Sequence, residues 1–96
     1  MLLKIDLLER IKAGEIDTVF RRWKRATVRA GGTLKTKVGV LSIDSMEPIA
    51  VDQVTLPDVK RAGFGSVDEF RRWLDTMKDG DLCIIRLHYI GPAPSA

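Results

Sequence analysis

Cysteine, histidine and tyrosine each occur once in this chain of 96 residues. The lone Cys83 excludes an intrachain disulfide and leaves a thiolate zinc site without its ligands. It reads instead as a small buried hydrophobe in a chain suited to a reducing cytoplasm. The lone His88 offers no histidine pair for zinc, and on the last strand, on the face of Arg86, it reads as a half-exposed structural residue. No metal or cofactor is expected. Long apolar runs are missing too, which excludes a membrane-spanning helix. Lys4, Asp6, Glu9 and Arg10 interrupt the leucines of the opening segment, so no signal-peptide core is expected there, and neither end carries a lipidation signal. What remains is 45% apolar and 30% charged, too aliphatic for disorder and of a size for one domain spanning residues 1–96.

Acid is missing over one particular stretch. From Thr18 to Ile43 there are seven cations, Arg21, Arg22, Lys24, Arg25, Arg29, Lys35 and Lys37, and no carboxylate. The other nine cations face all thirteen acids, so the rest of the chain carries −4 although the whole carries +3. A local excess of one sign makes a directed field, and an anionic partner follows from it.

Periodicity places these residues on elements. Leu2 to Ile5 reads as a short strand, and Asp6 to Glu9 has the spacing of a capping box opening a two-turn helix that stops at Gly14. Glu15 to Trp23, rich in β-branched and aromatic residues, reads as a strand with Val19, Arg21 and Trp23 on one face and Thr18, Phe20 and Arg22 on the other. The basic run beyond it is mostly loop, turning at Gly31-Gly32. Thr33 to Val51 holds the longest extended signal, a strand or hairpin with Gly39 marking a bulge or close backbone approach. Leu56 to Ala62 holds a helical turn with Pro57 at its first position, closed by Gly63. Ser66 to Glu69 is a second capping box opening an amphipathic helix with Val67, Phe70, Leu74 and Met77 in one stripe. Asp68 to Arg72 and Arg71 to Asp75 pair along its other side, and Gly80 ends it. Asp81 to Ile90 is the last strand, and the prolines at 92 and 94 leave residues 92–96 as a frayed tail. Few helices and several non-local strands imply an α+β domain whose small sheet curls into a barrel with two or three short helices packed on it.

Several of these segments resemble a known family. Leu2-Leu3-Lys4-Ile5, the helix ending Ile11-Lys12-Ala13-Gly14-Glu15, and Val19-Phe20-Arg21-Arg22-Trp23 look like the opening of an ASCH domain, a member of the PUA-like β-barrel superfamily. Val38 to Ile43, Ala62 to Glu69 and the strand ending Gly91-Pro92 are similar to a small bacterial branch of it. The resemblance implies a PUA-like barrel and an RNA-related role, and some ASCH relatives are nucleases or hydrolases of modified nucleosides. Their usual motif sets Lys and Thr directly after Gly-Glu or Gly-Lys. Here Ile16 and Asp17 follow instead, Thr18 restores the threonine only with a one-residue shift, and no lysine lies between Gly14 and Arg21.

The residues themselves carry the binding expectation. Phosphates need cations and exposed bases need a flat π-surface, and Arg21, Arg22, Lys24, Arg25 and Arg29 surround Trp23. Lys35 and Lys37 extend the patch, so RNA or another single-stranded nucleic acid, or a nucleotide-sized ligand, is expected in a basic cleft from Arg21 to Lys37. Trp23 reads equally as a core residue, in which case Arg21 needs a cleft or a partner such as Asp17 or Asp44. An enzyme in the same cleft, a ribonuclease or an amidohydrolase, would draw on Lys24 or Lys35, Thr27 or Ser45, and Asp44 or Glu47, with Lys24, Thr27 and Asp44 the foremost candidates. A third reading is a protein-interaction module using the Trp73 helix or the edge near Pro48.

Overall fold

Leu3, Leu7, Leu8 and Ile11 recur at helical spacing and all pack on one core cluster, which decides how the chain begins. In the computed structural model, which describes residues 3–24, 28–77 and 80–92, helix α1 runs Ile5–Lys12. The expected strand at Leu2 to Ile5 is not there. Leu3 and Lys4 lead straight into the helix, Ile5 is helical, and Leu2 lies outside the described residues. Nor does Asp6 cap it. The N-cap is Lys4 with no side-chain cap bond, and Asp6 falls in the first turn, where a negative charge meets the positive end of the helix dipole.

The rest of the order is β1 (Thr18–Trp23), β2 (Thr33–Thr36), β3 (Gly39–Pro48), a 3₁₀ turn (Val51–Gln53), α2 (Leu56–Arg61), α3 (Val67–Leu74) and β4 (Asp81–Gly91). Strand β1 starts later than expected, because the Glu15 and Ile16 amides are spent on the Arg10 carbonyl. Thr55 and Ser66 cap α2 and α3, each accepting from the amide three residues on. Glu69 does not close a box onto Ser66; its carboxylate accepts from the Gly65 amide at 2.7 Å. Helix α3 stops at Leu74, short of Gly80, because the Thr76 hydroxyl donates to the Trp73 carbonyl and turns the chain. Met77 therefore lies past the helix. Among the described residues, no ion pair joins Asp68 to Arg72 or Arg71 to Asp75.

The four strands form one antiparallel sheet in the order β1-β4-β3-β2. Register shifts at Val40/Leu41 and Ile43/Ser45 curl it into a half-barrel. Gly39 makes the close approach that its sequence suggests: its φ is +136°, and a Cβ there would stand 2.5 Å from the Gly91 carbonyl and 2.6 Å from the Tyr89 ring. The central strand β4 is buried on both faces. Ile85 and Leu87 join Val19, Leu41 and Ile43 beneath Leu8 and Ile11 of α1. Leu82 and Ile84 join Phe20 beneath Val59 of α2 and Phe70 and Leu74 of α3.

A chain of polar contacts ties α2 to the sheet. Arg86 of β4 donates to the Thr18 hydroxyl and, at 2.8 Å, to Asp58 of α2. Thr18 donates to Asp17, whose two carboxylate oxygens meet the Arg61 guanidinium at 2.8 Å each. Bonds from Arg61 hold the Asp17 carboxyl below its usual range, and those from Arg86 do the same for Asp58. Because both pKa values are lower folded than unfolded, the stability they lend is complete above the ordinary carboxylate value of about 3.8 and is lost as pH falls below it through the lowered folded values. The expected result is a melting temperature insensitive to these groups near neutrality that falls steeply below about pH 4. Thermal melts of wild type and Asp58→Asn across pH 2–7 check it, and the variant should show the shallower acid limb.

Candidate nucleic-acid interface

Strand β1 ends where the basic run begins, and its register decides what each cation can reach. Arg21 lies opposite Cys83, Arg22 opposite Leu82 and Trp23 opposite Asp81, while Pro48 of β3 lies opposite Cys83 from the other side. At this end of the sheet a groove of about 530 Å³ opens, lined by Trp23, Lys24, Pro48, Ile49, Gln53 and Asp81 among others. The Ile49 amide donates to the Leu82 carbonyl at 3.0 Å, which carries the wall past the end of β3. The Ala50 amide donates to Gln53 Oε1 at 3.1 Å, which fixes the carboxamide and leaves its NH₂ free of that bond. Gly80 lets β1 and β4 close here. Its φ is +157° and a Cβ would lie 2.6 Å from the Trp23 backbone.

Trp23 is half-buried. It packs against the core cluster beneath α1 and is also part of the groove wall. Lys24 is exposed beside it. Neither Lys24 nor Asp81 makes an ion pair among the described residues.

Arg21 belongs to a different cleft. It lines a smaller cavity of about 140 Å³ along the outer edge of β1, with Leu7, Val19, Phe20, Phe64 and Trp73. Its Nη1 donates to the Phe20 carbonyl at 2.9 Å, and burial pushes its pKa below the usual guanidinium value. The carboxylates suggested as its partners are engaged elsewhere: Asp17 holds Arg61, and Asp44 meets His88 Nδ1 at 2.8 Å. Arg22, between Arg21 and Trp23, is half-buried, and its Nε is buried with no hydrogen-bond acceptor among the described residues.

Arg29, Lys35 and Lys37 do not line the groove. Exposed Arg29 sits in a loop stapled to β3, where the Gly31 amide donates to the Ile43 carbonyl at 2.8 Å and the Ile43 amide donates to the Gly32 carbonyl at 2.9 Å. Lys35 lies opposite Val40, which lies opposite Gly91. Trp23, by contrast, lies opposite Asp81. Those rows are the two ends of β4, and at about 3.3 Å per residue its ten steps span roughly 33 Å. Lys35 and Lys37 are therefore outside the groove that Trp23 and Lys24 share. Asp44, between the Leu87 and Arg86 rows, is roughly 18 Å along β4 from the groove end. The geometry thus keeps the candidate pair Lys24 and Asp44 apart. Arg25 and Thr27 lie outside the described residues.

Asp81, Gln53 and Ile49 were not singled out from the sequence, and Pro48 only as an edge for a protein partner. Their membership depends on the pairing of β1 with β4 and on where the chain turns after Pro48, and no local pattern encodes either. Among the described residues no group of three histidine, cysteine or acidic side chains is placed to hold a metal ion. None of the described helices is long and apolar enough to cross a membrane. Comparison with protein-family models, curated proteins and solved structures returns no match.

Proposed function

We propose that this chain is a single-stranded nucleic-acid-binding domain, with RNA its first candidate ligand, and that one nucleotide seats in the groove at the end of β1. The observation that carries the reading is an aromatic side chain and an exposed cation, Trp23 and Lys24, lining one groove of about 530 Å³. That volume falls within the range of small-ligand pockets. Trp23 supplies a stacking surface and Lys24 a phosphate contact, and Arg22, on the opposite face of β1, offers a second cation to a strand that passes over the end of the sheet. The likeness of the opening and closing segments to ASCH domains supports the same reading, as does the curled half-barrel, and PUA-like membership is part of the proposal. So is a cytoplasmic setting, in which the buried Cys83 stays reduced. Catalysis is not part of it, since Lys24 and Asp44 do not share a site.

The test is fluorescence anisotropy of a labelled hexanucleotide over a range of salt. Two or three phosphates neutralised near the groove give a slope of log affinity against log salt of roughly −1.4 to −2 for a single strand. Lys24→Glu with Arg22→Glu should weaken every sequence alike and flatten the slope. Lys35→Glu with Lys37→Glu should leave the hexamer unaffected, because both residues lie at the far end of β4. A salt-independent affinity, or equal losses from the two pairs, would contradict the groove as the site.

A further inference from the structure

We propose that the groove selects guanine, and that the Asp81 carboxylate is the specificity determinant. The inference rests on the reading of the groove as a nucleic-acid site. Asp81 and Trp23 are directly paired across β4 and β1, so their side chains share a sheet face with Cβ atoms about 5 Å apart. A base stacked on Trp23 therefore brings its edge within reach of Asp81. The carboxylate is exposed and, among the described residues, has neither an ion pair nor a hydrogen bond. Beside a polyanion such a group is a cost to any contact with phosphate and contributes by accepting hydrogen bonds, which the edge of a base stacked on the neighbouring Trp23 is placed to donate.

The acceptor geometry then separates the bases. Guanine presents N1–H and N2–H₂ side by side, and the two oxygens of one carboxylate accept both in a charge-assisted pair. Adenine and cytosine each offer one amino group. Uracil offers a single N3–H between two carbonyl oxygens, which repel the carboxylate. Gln53 adds the complementary feature. Its oxygen is held by the Ala50 amide, so its NH₂ is the group left to donate to guanine O6, the acceptor next to N1–H.

The experiment measures binding of the wild-type protein and Asp81→Asn to five hexanucleotides, UUXUUU, in which X is guanine, adenine, cytosine, uracil or hypoxanthine. The wild type should bind the guanine hexamer about tenfold or more tighter than the all-uridine one. Hypoxanthine, which keeps N1–H and O6 but lacks the 2-amino group, should fall between them. Asn offers one acceptor where Asp has two, so Asp81→Asn should reduce the guanine preference to below about threefold while binding all-uridine RNA at least as tightly as the wild type. Guanine and uracil hexamers bound within about twofold by the wild type, or a preference that survives in Asp81→Asn, would overturn the assignment and leave the nucleic-acid reading standing. No salt-dependent binding of any hexamer would remove that reading and this inference together.

Discussion

Arg86→Ala is expected to destabilise the fold by about 2 kcal/mol and lower its melting temperature by roughly 10–15 °C. The guanidinium lies on the α2 and α3 side of β4, with its side chain 26% exposed, and Asp58 opposite it is 18% exposed. Truncation removes the bonds to Thr18 and Asp58 and leaves a carboxylate that is largely shielded from water without its counter-charge. A fully buried pair broken this way costs about 3–5 kcal/mol, and partial solvent access reduces that. Arg61→Ala is the contrast. It breaks a bidentate pair whose side chains are 49% and 45% exposed, and it should cost less than about 1 kcal/mol. Arg86→Met with Asp58→Asn keeps the apolar stem and a capping side chain at Asp58 while removing both charges, so it should recover part of the loss. Urea denaturation of the four proteins checks the order. Equal losses for Arg86→Ala and Arg61→Ala would mean that burial is not what gives the Arg86 contact its weight.

That clamp shows where sequence reasoning reached and where it stopped. The starts of α2 and α3 were legible because Pro57 and Ser66 act within one helical turn, and Gly39 because only a missing side chain admits Tyr89 and Gly91 so close. Stripes such as Val67, Phe70 and Leu74 were legible for the same local reason. Pairing was not. Strand β4 lies between β1 and β3, so Thr18 meets a residue 68 positions later and Asp17 takes Arg61 in place of Arg21. The same pairing sends the acid-free stretch along the molecule: Arg21 to the outer edge of β1, Trp23 and Lys24 to the groove, and Lys35 and Lys37 to the opposite end. Consecutive charge is a property of the chain, whereas a patch is a property of the register. The leading leucines misled in the other direction, since a largely apolar tetrapeptide fits a strand as well as the first turn of a helix that docks through its leucines.

Trp23→Ala is expected to weaken binding of a single-stranded hexanucleotide roughly 5- to 150-fold, corresponding to the 1–3 kcal/mol of stacking one base on an aromatic ring. Trp23→Phe, which retains a π-face, should recover most of the affinity. Because Trp23 also packs against the core beneath α1, the alanine variant loses stability as well, and binding must be measured well below its own melting temperature. The second tryptophan makes an independent readout possible. Trp73 lines the cleft on the outer edge of β1 with Arg21 and Phe64, and Trp23 lines the groove at the strand end. Fluorescence quenching on titration should therefore persist in Trp73→Phe and vanish in Trp23→Phe, even though both proteins still bind. The reverse pattern would move the ligand to the Arg21 cleft. A folded Trp23→Ala that binds as the wild type does would show that the ring serves only the core.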